Sequence, residues 1–116
     1  MAPTQYAEYQ GKTYLVSDLL EAASSLPVEE VELPNLPGIE EIFETWPWDE
    51  GWTLREFILH LTRTQDADMN SPIILAPDGA VLDGYHRICK AAVTGEETLK
   101  VIRLTFMPKS TKIPLS

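Results

Sequence analysis

Apolar residues recur at helical spacing along residues 54 to 61, where Leu54, Phe57, Ile58 and Leu61 form one stripe. Thr53-Leu54-Arg55-Glu56 ahead of it reads as a capping box, with Trp52 placed to staple onto Phe57. The spacing predicts a helix with this stripe toward the core and with His60 and Arg63 on the opposite side. Pro72 to Ala76 is a short apolar run, Pro77-Asp78-Gly79 a turn, and Ala80 to Leu82 a second run that folds back on the first. Tyr85, Ile88, Cys89 and Ala92 then return at three and four residues, which predicts a helix that Gly95 closes. Lys100 to Phe106 alternates, with Ile102, Leu104 and Phe106 on one face, and reads as a strand.

The N-terminal half is patterned less sharply. Its first ten residues are polar enough to read as loose, and Tyr14-Leu15-Val16 as a short strand. Ser17 or Asp18 can cap a helix to about Ser24 with Leu19, Leu20, Ala22 and Ala23 on its apolar side, and Pro27 ends it. Val28 to Leu33 alternates imperfectly with Glu29, Glu30 and Glu32, as an edge strand does when carboxylates discourage further pairing. Pro34 to Gly51 is rich in Pro and aromatic residues and reads as an irregular loop. Trp46, Trp48 and Trp52 fall within seven positions of one another, serving either as packing against the core or as a stacking platform or hot spot for a partner.

Function enters at residues 83 to 87. The first turn of a helix leaves backbone N–H groups unpaired and carries partial positive charge, so it favours an anion. Gly84 permits close approach of a ligand, His86 donates or accepts near neutral pH, and Arg87 can fork onto a phosphate. Asp83 either caps the helix or holds a divalent cation beside the phosphate. His60, Arg63, Gln65, Asp66 and Asp68, lying between the preceding helix and the Pro72 run, are either a metal or acid–base set or a solvated helix end. Cys89, on the apolar stripe, reads as a buried structural thiol.

Val81-Leu82-Asp83-Gly84-Tyr85-His86-Arg87, with Pro72-Ile73-Ile74-Leu75 before it and a helix closed at Gly95 after it, resembles the superfamily of ParB N-terminal domains and sulfiredoxins. His60 to Leu75 resembles small stand-alone ParB-like proteins. The resemblance implies a single compact α/β domain over residues 1 to 116, with a mixed, largely antiparallel sheet, about three main helices and a tail from residue 107. It implies a nucleoside triphosphate, ATP or CTP with Mg²⁺, as cofactor, held by Gly84, Tyr85, His86, Arg87 and Arg63. Asp83, Asp68 and His60 become the catalytic candidates for phosphoryl transfer or hydrolysis, and Asp83 and Asp68 the metal ligands. An early carboxylate acts as base or metal ligand in some members, for which Glu29, Glu30 and Glu32 are the local choices. Sulfiredoxins carry a catalytic Cys immediately before His-Arg, and Tyr85 stands there instead, so sulfinic acid reduction is not expected. Partitioning proteins continue into a helix-turn-helix domain and a dimerisation segment, and neither is expected here. Nuclease activity ranks a distant third.

Composition narrows the partners. Residues 1 to 52 hold 11 Asp and Glu against Lys12 alone, a charge of −10; residues 53 to 83 carry −3, and residues 84 to 116 carry +4, which together give −9. Such a chain is expected to repel duplex DNA, while its basic last third favours a small polyanion. The acidic half either keeps the protein in solution, docks on a basic protein partner or imitates DNA. That non-enzymatic interaction module is the main alternative to a phosphate-binding protein. Zinc-finger spacing, a Walker loop and a dinucleotide fingerprint are all missing from the sequence. No run nears the roughly 18 apolar residues of a membrane span, no export signal is expected because no basic segment followed by an apolar one stands near residue 1, and one cysteine makes no internal disulfide. A cytoplasmic setting is the resulting expectation.

Overall fold

A computed structural model describes residues 5–45 and 53–111. The expectations placed on Trp46, Trp48 and Trp52, including the staple onto Phe57, lie outside those residues. The elements run β1 (Tyr6–Tyr9), β2 (Lys12–Leu15), α1 (Val16–Ala23), β3 (Glu29–Glu32), a 3-10 turn (Leu33–Asn35), α2 (Ile39–Thr45), α3 (Leu54–Asp66), β4 (Ile73–Leu75), β5 (Val81–Asp83), α4 (Tyr85–Thr94) and β6 (Thr98–Arg103). This is the α/β class that the residue pattern implies.

The main sheet has the order β3-β6-β4-β5. β3 pairs antiparallel with β6, β6 parallel with β4, and β4 antiparallel with β5. The β4–β5 hairpin closes where Asp78 Oδ1 accepts the Ala80 amide at 3.0 Å and the Gly79 amide donates to the Ala76 carbonyl at 2.8 Å. The chain then crosses through α4 to bring β6 alongside β4 in parallel.

Side chains alternate across a strand, so the two central strands feed two cores. On one face Ile74 and Ile102 pack with Leu82, Leu104, the β1–β2 hairpin residues Ala7 and Tyr14, and Val16, Leu19 and Ala23 of α1. On the other, Ile73, Leu75, Leu99 and Val101 pack with Ile88 and Ala91 of α4 and with Leu36 and Ile39. The molecule is therefore hairpin plus α1, then sheet, then α4 and α2.

Several expectations need correction. Residues 6 to 9 are not loose: they pair with β2 from Tyr6↔Leu15 to Tyr9↔Lys12. Gln10 and Gly11 both take positive φ, 50° and 76°, the two-residue turn whose twist suits a hairpin. α1 begins after Leu15 and has no side-chain cap, so neither Ser17 nor Asp18 serves as one. The Pro-rich stretch folds locally into the 3-10 turn and α2, anchored by Leu36 and Ile39 in the core. Cys89 is only partly buried.

The largest departure concerns α3. Its capping box forms as expected: Thr53 Oγ1 accepts the Glu56 amide at 3.1 Å and donates to Glu56 Oε1 at 3.1 Å. Its stripe, however, turns outward. Leu54, Phe57, Ile58 and Leu61 are exposed, and Thr64 is the buried residue of the helix. The reason is that α3 docks on α4 through polar groups. Lys90 Nζ donates to the carbonyls of Gln65 at 2.7 Å and Ala67 at 2.9 Å, where helix-end carbonyls lack intrahelical partners. His60 and His86 meet between the two helices.

Candidate functional site

The β5–α4 junction positions the site. β5 ends at Asp83, and Gly84, at φ 113°, is the N-cap residue of α4. Asp83 is therefore not the cap. It sits one position earlier, on the strand, and its Oδ2 lies 3.8 Å from Arg87 Nη1. Gly84 is required by the protein itself: a Cβ there would lie 2.8 Å from Cγ1 and 3.2 Å from Cβ of Ile73. That close approach seats the start of α4 against β4.

A cavity of about 930 Å³ opens at this junction. Asp83, Gly84, Tyr85, His86 and Arg87 form one wall, with Arg63 and Asp66 of α3 beside them. Gln5, Tyr6, Ala7 and Glu8, with Val16 and Leu20 of α1, form the facing wall. The sequence missed that second wall because residues 5 to 8 read as loose. The signal that could have placed them is the Tyr-Ala-Glu-Tyr and Lys-Thr-Tyr-Leu alternation around Gln10-Gly11.

Two histidines connect α3 to this wall. His60 Nδ1 and His86 Nε2 are 3.0 Å apart and share a hydrogen bond, with ring centroids 4.8 Å apart. Burial, then the Arg63 guanidinium, pushes His60 below the ordinary imidazole range. Burial, then His60, Arg63 and Arg87, pushes His86 down in the same way. The pair is thus held toward neutrality first by burial and then by its positive neighbours, and the latter also favour an incoming anion. Tyr85 is half-buried, its hydroxyl donates to the Val81 carbonyl at 3.0 Å, and burial pushes its phenol up.

Arg87 works as a structural tie as well as a charge. Its Nε donates to the Asp68 carbonyl at 3.1 Å and its Nη1 to the Pro72 carbonyl at 3.3 Å. The Asp68 carboxylate accepts the Asn70 amide at 2.9 Å and the Ser71 hydroxyl at 3.3 Å, and Asp68 does not line the cavity. Glu29, Glu30 and Glu32 are farther still. β3 and β5 are opposite edges of the sheet, three strand spacings or about 14 Å apart. Those carboxylates are an exposed edge, not partners of Asp83.

Of the candidates read from sequence, the structure gathers Arg63, Asp83, Gly84, Tyr85, His86 and Arg87 around one cavity, with His60 bonded behind His86. It adds Asp66. Among the described residues no cluster of three or more His, Cys, Asp or Glu is arranged to hold a metal. Mg²⁺ carried by a nucleotide needs only one or two carboxylates besides the phosphates. Asp83 and Asp66 could supply them from the cavity wall, whereas the Asp68 carboxylate is committed to its own turn. No helix among the described residues is long and apolar enough to cross a membrane.

Comparison of the chain with family models, with curated proteins and with solved structures finds no match.

Proposed function

We propose that this chain binds a nucleoside triphosphate or a related phosphate ligand in the cavity at the start of α4. One observation carries the reading: Arg63, His86 and Arg87 converge with the N-terminus of a ten-residue helix on a single cavity. The helix start contributes partial positive charge, and Arg63 supplies a guanidinium free of the structural ties that hold Arg87. The likeness of residues 81 to 87 to the ParB and sulfiredoxin motif supports the same ligand class. Phosphoryl transfer or hydrolysis, with Mg²⁺ between ligand and Asp83, is the chemistry this arrangement suits. His60, one hydrogen bond behind His86, then acts by setting that ring's protonation and orientation.

The test is thermal stability against ATP, CTP, GTP and UTP, their diphosphates and inorganic phosphate, each with and without Mg²⁺. A ligand at a hundred times its dissociation constant stabilises by about 2.7 kcal/mol. Arg63→Ala and His86→Gln are the informative variants, because Arg87→Ala would also release the carbonyls of Asp68 and Pro72. The expected result is a ligand-dependent rise in the wild type that both variants reduce. No rise with any ligand at millimolar concentration would end the proposal.

A further inference from the structure

α3 contributes no residue to either core. Its exposures are 74% at Leu54, 40% at Phe57, 52% at Ile58 and 47% at Leu61, an apolar stripe laid along the outside of the molecule. A surface helix ordinarily buries such a stripe. Here the polar side is the one turned inward, through His60, Thr64 and the carbonyls that Lys90 holds. From this inversion we infer that α3 is the contact surface for a second copy of this chain, packed antiparallel across a two-fold axis.

Charge favours a second copy, and area sets how tightly it is held. The chain as a whole carries −9, which opposes self-association. α3 is the exception: Arg55, Glu56, Arg63 and Asp66 sum to zero, so two α3 helices meet without net repulsion. Arg55 and Asp66 lie about three helical turns apart, hence on the same flank of the stripe. Antiparallel pairing sets Ile58 against Leu61 of the second copy and Leu54 against Gln65. It also brings Arg55 beside Asp66 of the second copy, twice by symmetry. A parallel pair would leave both charged residues on one flank facing the uncharged flank of the other helix. With open side chains of this size presenting on the order of 200 Å² each, the exposed stripe amounts to about 430 Å² per copy. Pairing the stripes then buries about 850 Å² in total, at the low end of interface sizes, so the dimer is a weak, concentration-dependent one. Because Asp66 also lines the cavity, Arg55 of the second copy reaches the cavity rim. The inference does not depend on what the cavity binds.

Sedimentation velocity of the full chain over a micromolar to submillimolar series tests it. The mass is expected to climb from 13.0 kDa toward twice that value. Ile58→Glu, at a position already open to solvent, should keep the far-ultraviolet circular dichroism and abolish the climb. Arg55→Asp and Asp66→Arg should each weaken association several-fold, and the double variant should restore it, which only an antiparallel pairing explains. A mass fixed at 13.0 kDa throughout overturns the inference, as does a dimer indifferent to Ile58→Glu or a double swap that fails to recover. If Ile58→Glu instead shifts tryptophan emission in a protein monomeric at every concentration, residues 46–52, which hold all three tryptophans, cover the stripe and no second copy does.

Discussion

Replacing Gly84 with alanine separates two physical demands on one residue. The first is its backbone: φ is 113°, a region where a Cβ meets the following carbonyl at a cost of about 1–2 kcal/mol. The second is space, since the new Cβ would lie 2.8 Å from Ile73 Cγ1, 3.2 Å from its Cβ and 3.3 Å from its Cα. Ile73 is completely buried and the contact includes its backbone, so no swing of a side-chain end relieves it. Overpacking of this kind adds about 1–3 kcal/mol. Gly95→Ala is the control: φ is 79°, yet no atom stands within 4 Å of a Cβ there. The expected losses are about 1 kcal/mol for Gly95→Ala and about 3 kcal/mol for Gly84→Ala. At about 4 °C per kcal/mol for a domain of this size, melting temperatures should fall by roughly 4 °C and 12 °C. Urea unfolding followed by circular dichroism, with no ligand present, gives the comparison directly. Equal losses in the two variants would refute the packing role of Gly84 and return it to ligand approach alone.

The histidine pair makes stability depend on pH. Both folded-state pKa values lie below the ordinary 6.5, so protons favour the unfolded chain. Stability is thus complete above about pH 6.5 and declines as pH falls from there toward the folded values. A melting temperature flat from pH 7 to 5, or an unchanged decline in His86→Gln, would contradict this. Lys90→Met keeps the apolar stem but removes two donors from the end of α3, and should cost about 1–2 kcal/mol. Hydrogen exchange should show faster exchange concentrated in α3; unaltered protection there would show that Lys90 does not hold the helix.

The parts of the fold that were legible in sequence are those decided locally. The capping box at Thr53, the Pro77-Asp78-Gly79 turn and the Gly95 helix stop each rest on a few neighbouring residues, and each forms. β3 at the sheet edge follows from its glutamates for the same reason. What was not legible depends on partners distant in sequence. Periodicity shows that Leu54, Ile58 and Leu61 share a face of α3, but not whether that face turns inward. Here the direction was decided by Lys90 and His86, some thirty residues on. At the site, the run from Asp83 to Arg87 marked one wall of the cavity. It could not show that Ile73 fills the space beside Gly84, or that carbonyls of Asp68 and Pro72 occupy Arg87.

The double service of α4 has a consequence for how the site and α3 relate. His86, Arg87 and Lys90 all lie in its first two turns, and each touches the α3 segment or the loop that leaves it. His86 and Arg87 also line the cavity. An anion that recruits Arg87 must share a guanidinium already donating to Asp68 and Pro72, and one that protonates His86 changes the hydrogen bond holding His60. Ligand binding and the docking of α3 therefore draw on the same groups. By linkage, whatever one does to the other must be returned in equal measure. If the ligand and the second copy both bind as argued, nucleotide should shift the dimer equilibrium by the same factor that dimerisation shifts nucleotide affinity. Measuring both factors in the wild type and in Ile58→Glu would show whether α3 carries that coupling.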